Sequence, residues 1–108
     1  MPESENPIYT AIYVADLNMP WVNNLKAKRS LVKPMVEKMK IRLPVSVARV
    51  DGLNAHAWER IAVTAISHDI AWLERLLEQI HSFVCSQASY EVTVLDSVVE
   101  RWDLPNRA

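Results

Sequence analysis

Eight of the twelve Lys and Arg residues fall between Asn24 and Arg49: Lys26, Lys28, Arg29, Lys33, Lys38, Lys40, Arg42 and Arg49. One acid, Glu37, stands among them, although the whole chain carries a formal net charge of -1. Positive charge gathered in this way speaks about partners, not about fold. The chemistry it offers is contact with a phosphate backbone. Lys26, Lys28, Arg29, Lys33 and Lys40 would act as point charges that read no base sequence. The plainer alternative is a solvated face whose lysines keep the protein in solution, and a basic helix without interleaved aromatics leaves both readings open.

Other residue types with chemical capacity are scattered. His56, His68 and His81 have no histidine or acid at zinc-ligand spacing, so a metal site is not expected. Cys85 stands alone, which excludes an intrachain disulfide and a thiolate cluster. A Cys-His pair would be conceivable, but the place of Cys85 near the end of an apolar helical stripe points to a buried, inert thiol. Glu74, Glu78, Asp96 and Glu100 are enough carboxylates for acid-base work, yet nothing in their spacing puts two in one pocket. The single glycine, Gly52, removes every glycine-rich phosphate cradle. No nucleophile, base and orienting group can be assembled. An enzyme is therefore the least supported class, and no cofactor is expected.

The elements that carry these residues are legible from periodicity. Ile8–Leu17 alternates as a strand, with Tyr9, Ala11, Tyr13, Ala15 and Leu17 on one face and Ile8, Thr10, Ile12, Val14 and Asp16 on the other. Asn24 is a good helix cap. Leu25, Val32, Val36, Met39 and Leu43 then form a helical stripe, with Lys26, Arg29, Lys33 and Lys40 off it. Pro34 should either kink this helix or delay its regular part to about Ser30. Val45–Val50 is a second strand, 51–54 a turn, and Trp58–Ser67 a third strand. Asp69 caps a second helix striped by Ile70, Leu73, Leu77, Ile80 and Val84. Tyr90–Trp102 is a long last strand, with a bulge expected near Asp96-Ser97.

The order β-α-β-β-α-β predicts an α+β, ferredoxin-like fold: a four-stranded antiparallel sheet with both helices on one face. At 108 residues the chain suits a single domain, residues 8–102, between a loose head, 1–7, and a loose tail, 103–108. The start lacks a basic region followed by an apolar run, and no apolar run approaches the ~20 residues of a membrane span. A cytoplasmic protein with no membrane contact is expected. One enzyme and one binding domain of this fold class can be set aside. An acylphosphatase holds phosphate with glycines and an arginine after the first strand, where this chain reads Leu17-Asn18-Met19-Pro20-Trp21. An RNA-recognition motif stacks bases on aromatics of its open sheet face. Here Asp16 and Thr10 mark the opposite face of the first strand as the outer one, which assigns Tyr9 and Tyr13 to the helix side.

Asn-Leu-Lys-Ala-Lys-Arg at 24–29 and Pro-Val-Ser-Val-Ala-Arg-Val at 44–50 resemble the YlxP-like family of uncharacterised bacterial proteins. That family reads Ser-Leu-Lys-x-Lys-Arg, a helix, then Asn-Val-Ser-Val-Ala-Glu-Val, a hairpin, and a helix opened by Asn-Asp, here His68-Asp69. The resemblance spans nearly the whole ordered chain. It implies a small ferredoxin-like domain without an established activity. Family genes often lie among translation and ribosome-maturation genes, which implies a link to RNA or the ribosome. Lys26, Lys28 and Arg29 match the motif one for one. Asn24 replaces a serine cap, Arg49 stands at a usual Glu, Asn54 at a common Asp and His56 at a common Trp.

Two functions are thus expected. The first is a non-catalytic binding module that meets RNA or a ribosomal particle through its basic first helix. The second is a dimeric structural domain, or a regulatory domain that binds a small molecule. The homodimer is suggested by a missing polar face: strands one and three are apolar on both sides, and Ile8, Ile12 and Val14 would lie on the uncovered face of the sheet.

Overall fold

The computed structural model describes residues 6–87 and 89–105. Its elements run β1 (Ile8–Asn18), α1 (Leu25–Arg42), β2 (Ser46–Asp51), β3 (Trp58–Ser67), α2 (Ile70–Cys85) and β4 (Glu91–Trp102). The strands form one sheet in the order β2-β3-β1-β4, with every neighbouring pair antiparallel. This is the expected ferredoxin-like topology. The expected head and tail fall partly outside the described residues.

Side-chain alternation decides which face of the sheet the helices cover. On β1, Ala11, Tyr13, Ala15 and Leu17 are fully buried, while Ile8, Thr10, Ile12, Val14 and Asp16 are half-buried. The register pairs Ala15 with Ile61 and Tyr13 with Val63, both buried on β3. These residues meet Val32, Met35, Val36 and Met39 of α1 and Leu73, Leu76, Leu77, Ile80 and Val84 of α2 in one core. Tyr9 and Tyr13 therefore belong to the helix side, as the sequence indicated. The apolar residues on the other face lie on an open side of the sheet, where neither helix packs.

Both helices start as their caps dictate. The Asn24 side-chain oxygen accepts from the Ala27 N–H at 2.8 Å, and Asp69 does the same for Trp72 at 3.1 Å. Pro34 does not delay α1, which is helical from Leu25 to Arg42. The proline sits on an exposed position, so its ring meets water, not the core. The bulge in β4 falls one residue before the expected place. Val14 pairs with Asp96 and Ala15 with Val94, which leaves Leu95 as the extra residue. A second bulge in β2 leaves Val50 unpaired between Arg49 and Asp51.

The β2–β3 connection explains the only glycine. Gly52 adopts φ +72°, the left-handed region, and a Cβ there would lie 2.9 Å from the Trp58 ring. The Asp51 carboxylate accepts from the Gly52 N–H at 2.8 Å, and the Gly52 carbonyl accepts from Ala55 at 3.0 Å. Conformation and space both demand glycine at this position. Gly52→Ala is expected to lower stability by about 1–3 kcal/mol. Urea unfolding checks this, and an unchanged midpoint would show that the turn can reshape.

Candidate nucleic-acid interface

At 3.6 residues per turn, α1 has two sides of opposite character. Lys28, Val32, Met35, Val36 and Met39 face the core. Lys26, Arg29, Lys33 and Lys40 are exposed and recur at intervals of three, four and seven, so they line one flank of the helix. This row is about 21 Å long at 1.5 Å per residue. On the opposite flank Arg42 lies over the Phe83 ring of α2, 6.0 Å from its centroid. The basic row therefore points away from α2. Glu37 falls within it and pairs with Lys40 at 3.5 Å. Among the described residues, Lys26, Arg29 and Lys33 have no ion-pair partner.

Lys28 does not belong to this surface, which corrects the sequence-based assignment. Its side chain is 0% exposed, and its ammonium lies 3.2 Å from the equally buried carboxylate of Glu59. The ammonium also donates to the Gly52 carbonyl at 2.7 Å, with those of Leu53 and Trp58 at 3.3 and 3.4 Å. A second cation completes the cluster. Arg49 on β2 grips Glu59 through Nε at 2.5 Å and Nη2 at 2.7 Å. Hydrogen bonding to Glu59 raises the Arg49 pKa above its usual value, against a smaller opposing effect of burial. A buried charge survives only when paired and hydrogen-bonded, and these three residues satisfy that condition mutually. Lys28 is therefore unavailable to an external phosphate.

A signal for this cluster was present in the sequence. Position 28 lies three after Leu25 and four before Val32, so it falls on the apolar stripe. Glu59 likewise shares parity with Ile61 and Val63 on β3. Two opposite charges at core positions are the mark of a buried pair.

The remaining candidates separate. His56 bonds through Nδ1 to the Val22 carbonyl at 2.7 Å and fastens the loop after β1 to the β2–β3 loop. His68 is exposed. His81 shares a 2.8 Å hydrogen bond with the Tyr13 hydroxyl, and the Cys85 sulfur lies 3.6–3.7 Å from its ring nitrogens. Cys85 is exposed, contrary to the expectation of a buried thiol, because α2 turns it off the core stripe in its last turn. Burial, and then the charge of Cys85, pushes the Tyr13 phenol up to about 12. Glu74 and Glu78, expected to be separate solvated charges, line one groove beside Tyr13 and His81. Asp96 and Glu100 stand apart on the outer face of β4. The described residues hold no group of three or more His, Cys, Asp or Glu placed to bind a metal ion.

Ile8, Ile12 and Val14 project from the open face of the sheet, with Ile66 of β3 and Val98 and Trp102 of β4 on the same side. Ile66 is 64% exposed and Trp102 50% exposed. The other end of this face is polar. Arg60 grips Asp16 with bonds of 2.7 and 3.2 Å and lies over the Trp58 ring. No helix of the described chain is long and apolar enough to cross a membrane.

Comparison with known proteins places the chain in a family. Residues 10–97 match the family described as protein of unknown function, DUF503, and the chain belongs to that family. No curated protein matches. Among solved structures, the de novo designed protein Foldit4 is similar at 20% identity and a TM-score of 0.41, with 94% of this chain and 99% of that one covered. A dimeric ferredoxin-like protein from an uncultured marine organism is similar at 21% identity and a TM-score of 0.38, with the same coverage.

The buried cluster has an asymmetric consequence. Glu59→Leu strands both cations and is expected to cost about 3–5 kcal/mol. Lys28→Met should cost less, because Arg49 still neutralises Glu59. Equal losses in denaturant unfolding of the two variants would contradict this account.

Proposed function

For this member of the DUF503 family we propose a non-catalytic binding module that contacts the phosphate backbone of RNA, free or in a ribosomal particle, through the exposed row on α1. The single observation that carries the reading is the row itself: Lys26, Arg29 and Lys33 side by side, exposed and, among the described residues, without acid partners. Structural cations in this protein are paired, as Lys28, Arg49 and Arg60 illustrate. Cations left unpaired in a row keep their charge for something outside the chain. Lys40 extends the row, and Lys28 supports it from beneath by holding α1 to the β2–β3 hairpin. The resemblance to the bacterial YlxP-like proteins, through Asn24–Arg29 and Pro44–Val50, favours the same reading and a cytoplasmic setting.

Such contacts read charge and spacing, so binding should be insensitive to base sequence and steeply dependent on salt. Replacing Lys26 and Arg29 together by Glu is expected to weaken binding of a single-stranded RNA. The slope of log affinity against log salt should shrink by about 1.4, or ~0.7 for each lost phosphate contact. Fluorescence anisotropy across a salt series measures this. Unchanged affinity and slope would sink the proposal.

A second reading rests on a different observation, the open apolar end of the sheet. We infer that two copies bury Ile8, Ile12 and Val14 against each other, since apolar patches of this kind mark interfaces and two-fold dimers are the commonest assembly. Light scattering at micromolar concentration is expected to give twice the chain mass, falling to one chain mass for Ile12→Asp. A monomer mass for the unaltered protein would rule the dimer out.

A further inference from the structure

Cys85 closes the last turn of α2, exposed, one turn after His81. The two side chains meet: the sulfur lies 3.6 Å from Nε2 and 3.7 Å from Nδ1 of the imidazole. The Tyr13 hydroxyl of β1 shares a 2.8 Å hydrogen bond with Nδ1 of the same ring. Tyr13 stands sixty-eight positions away from His81 in sequence, so spacing alone could not join these groups. A nucleophile, a base and a group that orients the base are thus in mutual contact.

Each group has a distinct part. Tyr13 is fully buried, with its ring centroid 5.8 Å from that of His81, and steadies the imidazole. Burial, and then the charge of Cys85, holds its phenol up at about 12, so Tyr13 exchanges no proton near neutrality. With Nδ1–H donating to the Tyr13 oxygen, Nε2 is left to accept the thiol proton. Tyr90, the other phenol near the pair, donates to the Val84 carbonyl at 3.0 Å and is likewise raised by burial. Glu74 and Glu78 are the carboxylates that share a groove with His81. The helix end gives no help, because its partial negative charge opposes a thiolate. Activation of this thiol therefore rests on His81.

We propose that Cys85 is a site of reversible exchange with low-molecular-weight disulfides, with His81 as its proton acceptor. The thiol gives its proton to Nε2, and the sulfur attacks one sulfur of the disulfide. The S–S bond of the reagent breaks and a new S–S bond to Cys85 forms. The departing thiolate takes the proton back from His81, so Cys85 is oxidised and half of the reagent is reduced. The groove of about 400 Å³ lined by Tyr13 and His81 leaves open space beside the pair. It is opened by the bulge at Leu95, which sets both Val94 and Ser97 on the helix side of β4. The site lies on a different helix from the basic row, so it stands or falls independently of RNA binding.

The test uses the whole chain and bis(2-hydroxyethyl) disulfide, followed by intact mass. Cys85 is the only cysteine, so a mass gain of half the reagent reports this residue alone. The same chain unfolded in urea provides the rate of an ordinary thiol. At pH 6 the folded chain is expected to react about fivefold faster than the unfolded one. At pH 10, where an ordinary thiol is already ionised, the advantage should vanish. Added free thiol should restore the original mass. His81→Gln, at an exposed position the fold does not depend on, should abolish the advantage at pH 6, and Tyr13→Phe should reduce it. The proposal is overturned if the folded chain reacts no faster than the unfolded one at pH 6, if the advantage persists at pH 10, if His81→Gln keeps it in full, or if free thiol does not release the adduct.

Discussion

Glu59 stands where three segments of the chain meet. It projects from β3 into the core, receives Arg49 from the neighbouring strand, and faces Lys28 from the helix above. Lys28 in turn gathers the carbonyls of the β2–β3 loop, so one carboxylate fixes helix, strand and turn together. Apolar packing is non-directional and would tolerate α1 sliding along the sheet. A paired and fully desolvated charge does not tolerate it, because a shift of a few ångströms strands an ion out of water. The position of α1 follows from this anchor, and so does the direction in which its outer side chains point.

The same anchor sorts the basic residues into two kinds. The run Lys26-Ala27-Lys28-Arg29 looks uniform in composition, but the helix rotates by about 100° at each step. Lys28 turns inward and Lys26 and Arg29 turn outward. Composition identified the charge-rich segment, and only the geometry separates the cation that holds the fold from those that face water.

Much of the fold was legible because its determinants are local. Asn24 and Asp69 cap where their side chains can reach back to a free N–H, and Gly52 marks the turn because only it fits beneath Trp58. The faces of β1 followed from Asp16 and Thr10, and Asp16 does lie outward with Arg60. What was missed depends on contacts distant in sequence. Lys28 was read as wet because charge outweighed its place in the stripe, and its partner lies thirty-one positions away. Cys85 follows directly on Val84, the last buried residue of the stripe, and one helical step carries it off the core face. The groove with Glu74 and Glu78 arises from a bulge in another element, which no spacing along α2 could reveal.

The two bulges share a property of placement. They lie in β2 and β4, the outermost strands of the sheet. An outermost strand offers unsatisfied backbone donors and acceptors to any extended chain that passes, and a regular one invites open-ended stacking into fibres. An extra residue breaks the rhythm of those groups and coils the margin of the sheet, so a straight incoming strand cannot stay in step. The molecule thus blunts lateral growth at both margins of its sheet. One extra residue in each outermost strand, Val50 and Leu95, makes fibre-like extension of the sheet costly at either side.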